Sequence, residues 1–274
     1  MKYLVKNTRK TLQQRLINTT VASLLLISGT VVAEPVVFST AGADAADIQS
    51  TVDDFRDFLG DLNPNVVGSF SDGRREINWD GVGDADADPN PFPPNFFNDP
   101  VDGSPRGVVL FTPGTSLLVS ANAENPTNTE VEFGSFKRRF AREFATFSPQ
   151  RLFSAVDDTV VEILFFEPGT GNGATVSGFG AVFTDVDRDD NTKIEYLDKN
   201  GNLLFSQFVE PGTERRESLS FLGVSFDAGE EIFLVRITSG DRSISGKKRG
   251  KDEVVMDDFI YAEPQPTSQG ESQP

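Results

Sequence analysis

The chain has 274 residues, with 42 acidic side chains against 25 basic ones, a formal charge of −17, no cysteine and no histidine. That balance excludes nucleic acid as a partner, because phosphate binding requires clustered Lys and Arg; the missing cysteines exclude disulfides and a thioether anchor. Without histidine the commonest general base is gone, and with it the Ser-His-Asp and Cys-His nucleophile systems.

In chain order, the first segment carries Lys2, Lys6, Arg9, Lys10 and Arg15 with no acid, then the apolar run Val21 to Val32, then Ala33 before Glu34. This pattern reads as a secretory signal peptide over residues 1–33, cut at a small-residue site. The apolar run falls short of the ~20 residues that a membrane-spanning helix needs, so no span is expected in the mature chain. Removing it takes five bases and no acid, which leaves 20 bases against 42 acids, a charge of −22. Divalent cations become the expected partners.

Ile48, Val52, Phe55, Leu59 and Leu62 recur at spacings of four, three, four and three, which predicts one amphipathic helix over about 45–59. Asp44 and Asp47 suit its start and Gly60 its end. Residues 80–106 form a long Pro- and Asp-rich loop that carries Phe92, Phe96 and Phe97 just after Trp79, the only tryptophan. Loops of that length are usually functional or disordered. Residues 133–147 place Phe133, Phe136, Phe140, Phe144 and Phe147 among Lys137, Arg138, Arg139 and Arg142. They read as a short helix or crossing loop whose bases meet the acidic body.

From Gly107 onward nine short apolar runs alternate with Gly, Pro, Asn and Asp: GVVLFT, SLLVSAN, TVVEILFFEP, TVSGFGAVFTDV, KIEYLD, LLFSQFVE, ESLSFLGVSFD, IFLVRITSG and DEVVMDDFIYAE. Short strands separated by turn signals predict an all-β fold, a jelly-roll-like β-sandwich, as a single domain over 34–263. With 24 Phe, its core must rest mainly on phenylalanine. The tail 264–274 lacks apolar residues and is expected to be disordered.

Three acidic clusters are candidate ion sites. Asp185, Asp187, Asp189 and Asp190 crowd one turn between two strands, but Asp190 stands where an EF-hand requires glycine and Tyr196 where it requires glutamate. What survives is electrostatic: crowded carboxylates repel, and a hard cation relieves them. A solvated hairpin turn explains the same letters. In a regular strand, alternation sends Asp257 to one face and Asp258 to the other, so one of them must enter the core and needs a cation, backbone amides or an arginine such as Arg236. Asp80, Asp84, Asp86, Asp88 and Asn90 recur at alternate positions, which in an extended segment puts them on one side. Calcium suits such oxygen donors, whereas zinc and copper favour the nitrogen and sulfur donors this chain lacks.

Catalysis would have to fall to carboxylates such as Glu162, Glu167, Glu195 or the Asp257 and Asp258 pair, and no spacing singles out an acid and its partner. Binding reads better: Trp79 with Phe92, Phe96 and Phe97 is an aromatic set of the kind that stacks on sugar rings, although loop phenylalanines also plug sandwich ends.

At GFGAVFTDVD, IEYLDKNGNLL, LSFLGVSFDAGE, VRITSG and VVMDDFIYAEP, and upstream at INWDGVGDAD and SPRGVV, the chain resembles a group of uncharacterised exported bacterial β-sandwich proteins, many with a C-terminal PEP-type sorting signal. The closing strand with paired aspartates is also similar to that of calcium-bearing carbohydrate-binding jelly rolls. The resemblance implies export from a Gram-negative cell and a role outside it; the aromatic set and the acidic clusters add the expectation of non-catalytic, calcium-dependent recognition of polysaccharide. Here Glu263-Pro264 leads into QPTSQGESQP without the hydrophobic helix and basic cluster of a sorting signal, which implies release. Structural self-association through sandwich edges, and polysaccharide hydrolysis or lysis, are the alternatives.

Overall fold

A computed structural model describes residues 34–214, 216–227 and 231–267. The expected signal peptide and residues 268–274 of the expected tail lie outside the described residues. Strand β1 (Val36–Gly42) leads into helix α1 (Ala45–Leu59). The Asp44 side chain accepts from the Ala46 and Asp47 amides, satisfying donors that the first turn leaves free, and Gly60 at φ 95° ends the helix. The chain continues through β2 (Arg74–Ile77), β3 (Val108–Phe111), β4 (Ser116–Val119), β5 (Phe153–Val156), β6 (Val160–Phe165) and β7 (Ala174–Thr175). It closes with β8 (Gly178–Thr184), β9 (Lys193–Leu197), β10 (Leu203–Phe208), β11 (Leu219–Ser225), β12 (Leu234–Thr238), β13 (Val255–Ala262) and β14 (Gln265–Pro266).

The strands form two main sheets, and every pairing between them is antiparallel. One sheet runs β1-β11-β8-β13-β5-β4, with β2 also pairing β13; the other runs β10-β9-β12-β6-β3. The described residues therefore form an all-β sandwich with one α-helix. Each of the nine predicted runs contains a strand. The sheets meet through Phe165, Phe179, Tyr196, Phe259 and Tyr261, all fully buried. Phe165 lies 5.7 Å from Tyr261 and Phe179 5.4 Å from Phe259 between ring centroids.

Strands β8, β11 and β13 are buried along their whole length because both faces are covered. The outer face of β8 and β11 is capped by α1, which buries Ile48, Val52, Phe55 and Leu59 at roughly 1.5–3 kcal/mol for each large side chain. Gly180 and Gly223 sit opposite each other in the ladder and make the seat for Phe55. A Cβ at either would come within about 3.0 Å of the Phe55 ring, so only glycine lets the helix lie this close.

The 133–147 segment folds as successive turns with a short 3-10 turn at Phe140–Arg142. Phe133, Phe140 and Phe144 pack with Leu118, Leu152, Ile244 and Val255 in a second small core. Its bases meet the acidic body as the sequence implied: Lys137 and Arg139 hold Glu253, and Arg139 also holds Glu143. The tail corrects one expectation. Gln265 and Pro266 pair with β7, and the Thr267 amide donates to Gly173, because backbone groups and not apolar side chains tie this end down. Among the described residues, no helix is long and apolar enough to cross a membrane.

Candidate functional site

The aromatic set lies inside the protein. Trp79 is 1% exposed, stacked on Phe153 at 4.0 Å with an interplanar angle of 3°, and edged by Phe92, Phe97 and Phe259. Its indole Nε1 donates to the Asp257 carbonyl at 2.7 Å. Both ring faces and the polar edge are thus taken up by the protein, and a sugar cannot reach them. Phe92 and Phe97 are buried beside it, and Phe96 is half-buried against them. These four residues plug the core, and the expected stacking platform is withdrawn.

The acidic loop is not extended. Asp84–Asp86 form a 3-10 turn, which destroys the alternate-residue face on which a shared ion was expected. Asp84 pairs with Arg151 at 2.6 Å, Asp80 accepts from the Arg151 amide at 3.0 Å, and Asp88 turns inward to the Ser135 hydroxyl. Asp86 is half-buried and takes no part in that arrangement.

Asp257 and Asp258 occupy a β-bulge. Met256 pairs with Phe183 and Phe259 with Ala181, so two aspartates face the single residue Val182. The bulge breaks the alternation that would have divided them, and both are buried under the 147–148 loop. Asp257 Oδ2 accepts from the Phe147 amide at 2.6 Å and the Ser148 amide at 3.3 Å. The Ser148 hydroxyl lies within hydrogen-bonding distance of both, 3.2 Å from Asp257 Oδ1 and 2.7 Å from Asp258 Oδ1, and the Arg56 guanidinium reaches Asp258 Oδ2 at 3.1 Å. Burial, and then the neighbouring carboxylate, push Asp257 well above the usual range; burial also raises Asp258. Two amides, a hydroxyl and Arg56 thus satisfy this pair, the backbone-amide and arginine alternatives together, with Arg56 in the place considered for Arg236. Arg236 instead bonds Glu162 on the other sheet at 2.7 Å. The other carboxylates weighed for catalysis are also in local contacts: Glu195 with Lys193, and Glu167 with Asn172 and Thr170.

At the far end of β8 the accounting comes out differently. Asp185, in the left-handed region at φ 66°, is 8% exposed, and Asp252, just before β13, is 1% exposed. Asp185 Oδ1 and Asp252 Oδ1 are buried with no hydrogen-bond partner. The other Asp252 oxygen accepts from the Asp187 amide at 3.3 Å, which ties Asp187 to the same corner. Burial first, and then Asp187, Glu143 and Asp252, push Asp185 up to about 8. Asp252 is raised to about 6, again chiefly by burial. Asp190 points away and pairs with Arg188. Sequence reasoning found Asp185 and Asp187 and missed Asp252, whose signal was an acid directly before a strand whose every residue is buried.

An orphaned buried carboxylate oxygen is costly unless a cation or proton joins it. Asp185, Asp187 and Asp252 are the acidic residues gathered at this corner. Among the described residues, no three acidic side chains converge as they stand closely enough to hold a metal. No family profile, curated protein or solved structure matches the chain.

Proposed function

We propose that this protein is an exported, non-catalytic β-sandwich stabilised by Ca²⁺ at the corner formed by Asp185, Asp187 and Asp252. The observation that carries the reading is the pair of buried, partnerless carboxylate oxygens on Asp185 and Asp252. A divalent cation removes the mutual repulsion and the desolvation cost together, and its remaining ligands come from backbone carbonyls and water. Export is supported by the basic-apolar-small order of residues 1–33 and by a chain that is folded without cysteine. The test is elemental analysis of the purified mature chain together with melting in calcium and in EDTA. A metal-free protein whose melting point ignores calcium would defeat the reading.

A second reading, self-association in an extracellular matrix, is favoured by one observation. Edge strand β10 leaves Leu203 56% and Phe208 47% exposed, and β3 at the opposite edge leaves Phe111 47% exposed. Open edges with apolar side chains are templates for pairing with another chain. Light scattering across a calcium titration separates a stabilised monomer from an assembling one.

A further inference from the structure

A cleft of about 470 Å³ opens between α1, β2 and the 147–149 loop, within the ~300–1,000 Å³ typical of small-molecule sites. Nine of its twelve lining residues are polar or charged, and Leu62, Phe147 and Pro149 supply apolar wall between them. Glu76 and Asp258 lie at 3.0 and 3.1 Å from the same nitrogen of Arg56, so that guanidinium is already engaged. Arg106 is different. One of its terminal nitrogens donates to the Glu76 carbonyl at 2.9 Å, its guanidinium lies 5.1 Å from the Phe97 ring centre, and its Nε is buried without a partner. Among the described residues it has no carboxylate in ion-pair range; burial lowers its pKa, and Glu76 acts on it only from a longer distance. Asn65 and Asn78 line the same cleft, and their side-chain amides make no hydrogen bond to the described residues.

We infer that this cleft binds a carboxylated sugar, a uronate unit, whose carboxylate pairs with Arg106 while its hydroxyls meet Asn65, Asn78 and Oε2 of Glu76, the oxygen of that carboxylate that accepts only one arginine hydrogen bond. Charge sets the class. One guanidinium without an ion pair balances one negative charge, and the fixed carboxylates of Glu76 and Asp258 oppose a second, which disfavours sulfate and phosphate. Amide and carboxylate groups at the wall supply both donors and acceptors for hydroxyls, which a bare anion site would not need. The inference uses no residue of the Asp185 corner and stands apart from the calcium reading.

Calorimetry with the folded mature chain tests it, using a galacturonate trisaccharide, a neutral galactose trisaccharide and sodium sulfate as probes, each in calcium and in EDTA. The uronate should bind, with the neutral sugar and sulfate at least tenfold weaker. Arg106→Gln should lower uronate affinity at least tenfold and Arg106→Lys by less. Asn78→Ala, at an exposed position that threatens no core, should weaken it severalfold with the circular dichroism unchanged. Equal binding of neutral and charged sugars, tighter binding of sulfate, no binding of the uronate, or full affinity in both Arg106→Gln and Asn78→Ala would each overturn it. Uronate binding that survives EDTA, beside a melting point that ignores calcium, would sink the calcium reading and leave this one standing.

Discussion

At the bulge of β13, Asp257 and Asp258 are surrounded by donors; at the end of β8, Asp185 and Asp252 each keep a buried oxygen without a hydrogen bond, although the Asn191 side chain lies close enough to Asp252 to lower its pKa. Both corners are acidic and both are buried. What separates them is the supply of N–H and O–H groups. The 147–148 loop presents two amides and a hydroxyl to the first corner, and α1 adds Arg56. Near the second corner the bases Lys137, Arg139 and Arg242 converge on Glu253, the residue next to Asp252. Acidity of sequence therefore does not distinguish the two corners; the count of unmet acceptors does.

The comparison breaks most visibly if the satisfied corner loses its acceptor. Asp257→Ala strands the Phe147 and Ser148 amides and should cost about 3 kcal/mol in denaturant unfolding, whether or not calcium is present. Asp257→Asn should cost much less, because the amide oxygen can still accept from the Phe147 and Ser148 amides. A calcium-dependent loss in Asp257→Ala would contradict the assignment.

Next in size is the response of the unsatisfied corner to its ion. Calcium at a hundredfold excess over its Kd should stabilise the fold by about 2.7 kcal/mol. At ~2–4 °C per kcal/mol for a domain of this size, that is a rise of roughly 5–10 °C in melting temperature relative to EDTA. Asp252→Asn should abolish the rise, and in EDTA it should be about 1 kcal/mol more stable than the parent, because one repelling charge is gone. An undiminished rise in that variant would place the ion elsewhere.

The pH dependence sharpens the same contrast. Asp185 and Asp252 titrate at about 8 and about 6, above their unfolded values, so the native state holds protons that the unfolded chain has released. Stability from this corner is full below the unfolded pKa near 4 and drains away as pH rises through about 6 and then about 8. In EDTA the loss should reach up to about 2 kcal/mol after allowance for solvent screening. In calcium the slope should flatten, since the ion replaces the protons. A stability that rises over this range in EDTA would refute the assignment.

The smallest effect belongs to the basic loop. Lys247 and Lys248 reach Asp157 and Asp158 at 2.7 and 3.0 Å, and hydrogen bonds from Lys247 first hold Asp157 down to about 2. These pairs are open to water, so Lys247→Ala should cost less than about 1 kcal/mol and leave the calcium response intact.

Much of the fold was legible because periodicity is a direct image of burial. The helix emerged from Ile48, Val52, Phe55 and Leu59, and the strands from runs of β-branched and aromatic residues. Strand β2 stayed hidden because Arg-Arg-Glu-Ile reads as solvated, yet Arg75 is fully buried, forked onto Glu263 at 2.7 and 2.8 Å. An ion pair 188 residues apart leaves no local trace. Trp79 misled because adjacency to a loop was taken for exposure, whereas a lone large ring in a phenylalanine core fills its widest gap. Of the candidate site, Asp185 and Asp187 were legible from crowding; Asp252 was not, because only the fold brings it to their corner.

The bulge has a consequence for chain length. Met256 and Phe259 keep Phe183 and Ala181 as partners on either side of it, so removing one of the two aspartates would let the strands zip without interruption. The surplus residue gives the ladder nothing. Relatives one residue shorter at this point are compatible with the same sheet, and what such a deletion forfeits is the tether to the loop beside the cleft.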